Sequence, residues 1–280
     1  MSRLVFWDAG QAAAAEVAVA CAVTLGLHYP QRVLLVNEGR IGCGVEEGLR
    51  PSGLSSAEAA AAELAEHGID ALLRLLRSRR LSPGNFADYT LPVLQGRLDL
   101  VSGTRNGSAA RAGAEAEEIN ELLRTAELAY DLVLSCVEGR RRLSEALRTL
   151  QGGDVIVAVV PQRLGLLDDF FAEVAPISAK LEHRICLAIQ PFDPSSRWNL
   201  TNLKRRYRSR LPMFGIPYHS EFADAWNDRE SLAFLRKYKL LSKRGGSRGE
   251  LLEVYREMSG KVLELSGKAD APGSVNGKGA

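Results

Sequence analysis

Arg3-Leu-Val-Phe-Trp-Asp-Ala-Gly-Gln11, followed by Ala12-Ala-Ala-Ala15 and, past a proline break, Arg32-Val-Leu-Leu-Val-Asn37, decides the fold of this chain. The first run is short, β-branched and aromatic, and it closes on the turn Asp8-Ala-Gly-Gln11. From Ala12 to about His28 the composition is that of a helix, since alanine gives up no side-chain entropy in forming one. A second apolar β run then ends at Asn37. Strand, glycine turn, helix and strand in this order form the opening unit of an α/β domain with a crossover helix.

Outward from that unit, β-rich apolar runs keep alternating with helical patterns. A Gly-rich loop is predicted over 38–53. Ser55 or Ser56 is placed to cap a helix to residue 79, with a break open at Gly68 and with Ile69, Leu72, Leu73 and Leu76 on one face. Pro83-Gly84 ends it, and 97–101 reads as a strand. After a small, polar loop at 105–114, residues 115–130 form an amphipathic helix with Ile119, Leu122, Leu123 and Ala126 inward. Strand 131–136 and a short helix at 143–150 lead to 154–160, apolar on both faces as a central parallel strand requires. Helix 164–180 turns Leu167, Phe170, Phe171 and Val174 inward, and strands follow at 183–189 and 211–216. Helix 250–265 carries a stripe of Leu251, Tyr255, Met258, Val262 and Leu265. The expected fold is α/β: a doubly wound, mostly parallel sheet with helices on both faces, one domain over 1–265. A disordered tail rich in Gly, Ser and Lys is expected over 266–280.

The bulk properties narrow the class. A chain of 280 residues buries a sizeable core, and 46% hydrophobic with 25% charged residues is a soluble globular balance. A net charge of +2 exerts no global pull on nucleic acid or membrane, so only local clusters can. Cys21, Cys43, Cys136 and Cys186 are widely spaced, with no CxxC pair. Three lie in or beside apolar runs, where buried reduced thiols belong, and this fits a cytosolic protein. Residues 12–27 are apolar, but Glu16 interrupts them and only Arg3 precedes them, which speaks against a signal peptide or a membrane span. His28, His67, His183 and His219 are scattered, without metal-ligand spacing, and no nucleophile elbow occurs.

A glycine turn at this point of an α/β domain binds phosphates when a lysine and then a Ser or Thr open the helix. Here those positions read Ala12-Ala-Ala-Ala15, and no lysine or arginine lies between Arg3 and Arg32. Helix N–H groups would remain to attract an anion. The alanines also suit a plain structural role, because methyl side chains let a crossover helix approach the sheet closely.

Several segments together resemble the ParA/MinD family of deviant-Walker ATPases, over about residues 3–240. Val5-Phe-Trp-Asp-Ala-Gly-Gln11 is similar to that family's first strand and phosphate loop, and Arg32–Asn37 to its second strand. Tyr130-Asp-Leu-Val-Leu-Ser135 resembles the Walker B strand, and Gly215-Ile-Pro-Tyr-His-Ser-Glu-Phe-Ala-Asp-Ala225 the segment beside the adenine. Within the family, Gly68-Ile-Asp-Ala-Leu-Leu-Arg-Leu-Leu76, Asp88-Tyr-Thr-Leu-Pro-Val-Leu94, Leu98-Asp-Leu-Val-Ser-Gly-Thr104 and Gln190-Pro-Phe-Asp-Pro-Ser-Ser196 look most like the TadZ-type proteins of pilus assembly.

The resemblance implies a P-loop NTPase-like fold with a nucleotide cleft at the strand ends, lined by Gly10, Gln11, Asn37, Glu38, Ser135, Pro217 and Tyr218. It puts Asn37, beside Glu38, where the family has the aspartate that polarises the attacking water, and Ser135 where it has the Walker B aspartate. Both lysines of the family's phosphate loop are replaced. The implied function is therefore a catalytically degenerate, non-hydrolysing scaffold or positioning factor for Tad-type pilus or secretion assembly. An ATPase with an atypical site and a nucleic-acid-binding module stay as alternatives. No catalytic residue, metal or cofactor is expected, with ATP or ADP binding without Mg-dependent hydrolysis left open. Implied partners are the proteins of such a machine and a second copy of the chain, at the cytoplasmic side and extending to the inner face of the membrane.

One further segment stands out. Lys204, Arg205, Arg206, Arg208 and Arg210 fall within seven residues free of acid. A solvated helix face explains them, and so does a patch for nucleic acid, anionic lipid or an acidic surface.

Overall fold

Strands β1 (Arg3–Asp8) and β2 (Val33–Asn37) do not pair with each other; β5 (Leu132–Val137) runs between them, parallel to both. The computed structural model describes residues 3–9, 13–49, 67–105, 114–137, 143–148, 154–177, 183–239 and 247–268. Together with β3 (Leu91–Leu94), β4 (Leu98–Val101), β6 (Val155–Val160), β7 (Ile185–Ile189) and β8 (Met213–Gly215), these strands form one sheet in the order β3-β4-β2-β5-β1-β6-β7-β8. Every neighbouring pair is parallel except β3 with β4. β3 is an edge strand, and its exposed Pro92 is tolerated because an edge leaves one row of N–H groups without a ladder partner.

The period of two in each strand sorts its side chains between two helical layers. Leu4 and Phe6 of β1 face α1 (Ala14–His28), α7 (Ser220–Asn227), α8 (Ser231–Lys239) and α9 (Ser247–Leu265). Val5 and Trp7 face the other way, toward α4 (Leu143–Arg148), α5 (Leu164–Val174) and α6 (Leu200–Tyr207). On the same side, under β2 and β5, α2 (Ile69–Arg77) and α3 (Ala114–Ala129) pack with Ile69, Leu72, Ile119 and Leu122. The sheet is thus doubly wound, with β6 buried along its whole length.

From Val17 to Leu25 helix α1 is buried on every side, with Thr24 its one polar residue there. A helix of that kind has to be enclosed, here by the sheet beneath and α9 above. Small side chains permit the close approach: the Cys21 Sγ and Ser259 Oγ atoms meet at 3.5 Å in the buried α1–α9 contact. Extended Tyr29, immediately before Pro30, ends the helix. Cys21, Cys136 and Cys186 are buried free thiols, while Cys43 is half-buried. Burial pushes the Cys21 thiol up to about 12, which leaves it inert at neutral pH.

The structure departs from the sequence reading in a few elements. β3, α7 and α8 were not anticipated, and the predicted helix to residue 79 begins, within the described residues, only at Ile69. Gly68 forces that start: its φ of 92° lies in the left-handed region, and a Cβ there would collide with Ser102. Ser266 is buried and closes α9 through its hydroxyl to the Leu263 carbonyl, so the chain is ordered through Lys268. The tail beyond it and most of the loop at 105–114 lie outside the described residues.

Candidate functional site

The parallel strands end together where β1 passes into α1, and this rim holds most of the residues singled out from the sequence. Gly10 and Gln11 lie outside the described residues. The helix resumes at Ala14, which is buried, and Ala13 before it makes no side-chain cap. The first polar side chain of α1 is the acid Glu16. It is half-buried and accepts a hydrogen bond of 2.8 Å from Gln190 Nε2 at the end of β7. Burial pushes its carboxyl up from the ordinary 4.5, the Gln190 bond draws it back, and the Glu47 carboxylate nearby raises it further.

Asn37 ends β2 and is buried. Its Nδ2 donates to the carbonyls of Arg40 (3.2 Å) and Cys43 (2.9 Å) and to Glu46 Oε1 (2.8 Å), and its Oδ1 accepts from Gly39 N–H (2.9 Å). Both amide N–H groups are therefore committed, and a third acceptor shares them. Glu46 sits in a single 3-10 turn (Gly44–Glu46) and is buried as well. It accepts from Gly103 N–H at the end of β4 (2.6 Å) and from Gly42 N–H (2.6 Å) in addition to Asn37. Burial pushes this carboxyl up, while the bonds from Gly103, Asn37 and Gly42 and the Arg229 charge pull it back. Ile41 N–H to the Thr104 carbonyl (2.9 Å) and Thr104 N–H to the Gly39 carbonyl (3.0 Å) carry the β2–β4 pairing onward into this loop. Gly103 is glycine for a visible reason, since a Cβ would come within 2.8 Å of the Arg40 carbonyl carbon and 2.9 Å of Ile41 N. Asn37 and Glu46 thus form a latch that fastens the loop after β2 onto β4.

An aspartate could not serve at 37. It would point an acceptor at two carbonyls and a buried carboxylate, so the amide in this chain goes together with Glu46. Sequence reasoning singled out Asn37 but not Glu46 or Gly103, whose partners lie 9 and 57 positions apart. Buried Glu46 in a polar loop offered no signal by periodicity.

Ser135 does not join this rim. In β5, Leu132, Leu134 and Cys136 face α1, whereas Val133 and therefore Ser135 face the opposite layer. The register neighbours of Ser135, Val5 and Val36, point the same way. Ser135 is fully buried, and its hydroxyl has no hydrogen-bond partner. The β5 side chain turned to the α1 face at the strand end is Cys136, opposite Asn37 and Phe6. A thiol is a poor ligand for magnesium, which selects oxygen. Glu38 is half-buried, and its N–H donates to the Cys136 carbonyl. Pro217 is half-buried beyond β8, and Tyr218 stands 71% exposed. His219 next to it caps α7 through Nδ1 to Phe222 N–H.

The basic cluster lies elsewhere, on α6 and the turn after it, and all five cations are exposed. Arg206 pairs with Asp168 of α5 at 3.2 Å and lies over the Trp198 ring, which Arg197 also covers. Tyr207 stacks on Phe171 at 4.0 Å and donates its hydroxyl to Asp168. Lys204, Arg205, Arg208 and Arg210 carry no side-chain ion pair among the described residues.

No family model and no curated protein matches this sequence. Solved structures do match over nearly the whole chain. A ParA family ATPase from Chlorobium tepidum TLS superposes with a TM-score of 0.64 at 16% identity, covering 92% of this chain and 98% of its own. The septum site-determining protein MinD complexed with Mg-ADP from Pyrococcus horikoshii OT3 gives 0.58 at 15% identity, covering 97% and 100%. A putative plasmid partition protein from Borrelia burgdorferi B31 bound to AMPPNP gives 0.59 at 14%, covering 96% and 99%. The fold is that of the ParA/MinD P-loop ATPases. In a ParA/MinD fold the rim described above is where magnesium and a triphosphate would be held. The described residues here do not fit that group: the Asn37 amide is engaged by protein, the Glu46 carboxylate already accepts three hydrogen bonds from protein, Ser135 faces away, and the first turn of the helix carries a carboxylate. Among the described residues no cluster of three or more His, Cys, Asp or Glu could hold a metal, and no helix is long and apolar enough to cross a membrane.

Proposed function

We propose that this chain is a ParA/MinD-fold protein that does not hydrolyse ATP and acts as a scaffold or positioning factor, most similar in its sequence to TadZ-type pilus assembly proteins. One observation carries the reading. The side chain at 37, where relatives are expected to polarise the attacking water, has every donor and acceptor engaged by its own loop and Glu46. Phosphoryl transfer depends on positioned groups of this kind and on cations at the phosphates. The alanines at 12–15 supply none. The protein would meet its partners as a rigid platform, at the cytoplasmic face of the machine it serves.

The test is turnover by the purified full-length chain with ATP and magnesium, together with calorimetry of ATP and ADP with and without the metal. No phosphate release above a contaminant control, purified identically from cells lacking the chain, is expected; release above that control overturns the reading and favours an ATPase with an atypical site. The pilus assignment rests on sequence resemblance, and pilus counts unchanged in host cells lacking the protein would remove it. A second reading, as a nucleic-acid-binding module, draws on the exposed cations at 204–210, and predicts affinity that falls steeply with salt.

A further inference from the structure

At the opening of α1 the side chains leave hydrogen-bonding capacity unused beside a carboxylate. Glu16 accepts a single hydrogen bond, from Gln190 Nε2. The other end of that carboxamide, Gln190 Oε1, has no partner although the residue is only 9% exposed. Turning the amide over does not help, because the carbonyl would then face the Glu16 carboxylate and the NH2 would be stranded. Tyr255 of α9 is fully buried with an unpartnered hydroxyl, and it lies within electrostatic reach of Glu16. Glu47, exposed at the outer edge, brings a second carboxylate to bear on Glu16. Among the described residues no cation acts on Glu16. Buried polar atoms normally find partners, so two orphans beside an uncompensated acid point to a group that is yet to arrive.

We propose that this mouth receives the ammonium or guanidinium group of a lysine or arginine side chain from a partner polypeptide. The inference rests on the preceding reading that the rim holds no triphosphate, and it names what takes that place. A positive group seated at Glu16 forms a charge-assisted hydrogen bond to its carboxylate within the field of Glu47, and a small turn of the Gln190 side chain brings its unpartnered carbonyl to a remaining N–H. The half-burial of Glu16 favours the arrangement: its carboxylate keeps some water, while screening there is weaker than on an open surface. Phosphate is disfavoured at the same spot by the same two charges.

The experiment follows the Gln190 side-chain amide by NMR in the full-length, isotope-labelled chain, identified by its loss in Gln190→Ala. The probes are N-acetyl-arginine amide and N-acetyl-lysine amide, with N-acetyl-citrulline amide as the neutral isostere of the first. A saturable shift is expected with either cation, at least about tenfold weaker with citrulline and about tenfold weaker in Glu16→Gln. Glu47→Gln, on an exposed side chain that leaves the fold intact, weakens it severalfold. No saturable shift, an equal shift with citrulline, or a shift indifferent to both substitutions overturns the inference. Spermidine binding without either amino-acid amide overturns the side-chain assignment in favour of a free polyamine. ATP is titrated in parallel, with phosphate release followed in the same samples: a saturable shift with ATP overturns the premise that the rim holds no triphosphate, phosphate release overturns the non-hydrolysing reading, and silence from both ATP and the cations sinks only this inference.

Discussion

Replacing Asn37 with aspartate, the residue that ParA/MinD relatives are expected to carry there, should unfold the latch rather than restore activity. The substitution deprives the Cys43 and Arg40 carbonyls of their donor and turns the 2.8 Å bond to Glu46 into a contact between two carboxylates. A hydrogen bond to a charged group contributes about 1.5–3 kcal/mol, and a stranded buried carbonyl costs about 1–3 kcal/mol more. The acid pair can relax by keeping one proton, which rebuilds an O–H···O bond to Glu46. Holding that proton at neutral pH, about three units above the ordinary carboxylate value, costs about 4 kcal/mol. Both routes therefore lead to a loss of about 3–5 kcal/mol at neutral pH. The pH dependence has a definite sign. The folded variant holds a proton that the unfolded chain has released, so its deficit against wild type shrinks by about 1.4 kcal/mol per unit as pH falls toward about 4. Urea unfolding of both proteins, followed by tryptophan fluorescence at neutral pH and near pH 5, measures the difference. A deficit under about 1 kcal/mol at neutral pH, or one that does not shrink on acidification, refutes the account of the latch.

Three other outcomes are expected. Gly103→Ala must push the Gly39–Ile41 backbone away and should cost about 1–3 kcal/mol in urea unfolding, and an unchanged midpoint would contradict the close approach described. Because burial raises the Glu16 carboxyl above 4.5 in the folded chain, its contribution is full below that value and is lost as pH rises through the raised one. Glu16→Gln should therefore gain on wild type in thermal midpoint from about pH 4.5 toward neutral, and parallel pH profiles would show that the carboxyl is not strained. Changing Lys204, Arg205, Arg208 and Arg210 together to alanine should leave the unfolding free energy within about 0.5 kcal/mol of wild type, since none has an ionic partner among the described residues, while abolishing salt-sensitive retention on heparin. Retention that survives the change would place the anion-binding surface elsewhere.

The architecture was largely legible because its long elements repeat cleanly. Leu122, Leu123 and Ala126 of α3, and Tyr255, Met258 and Val262 of α9, recur at helical spacing and are buried as expected. The four-residue edge strand β3 escaped notice because Pro92 argues against a strand and only its pairing with β4 creates one. α7 and α8 are short, and their inward side chains Phe222, Trp226 and Phe234 belong to a core assembled from distant segments. The rim was less legible than the frame. β5 is apolar on both faces, so its pattern could not show whether Ser135 or Cys136 turns toward α1, and a shift of one residue exchanges the faces. Asn37 was visible as a departure from the expected aspartate. The reason for it was not, because Glu46 and Gly103 come to it only through folding.

The enclosure of α1 fixes the size of the side chains it can carry. Ala14 and every residue from Val17 to Leu25 are walled in by the sheet and by α9, at spacings set by methyl groups and one sulfur–hydroxyl contact. A larger side chain anywhere from Val17 to Leu25 would require α9 to back off from the sheet, so this stretch of the crossover tolerates exchange only among residues of closely matched volume.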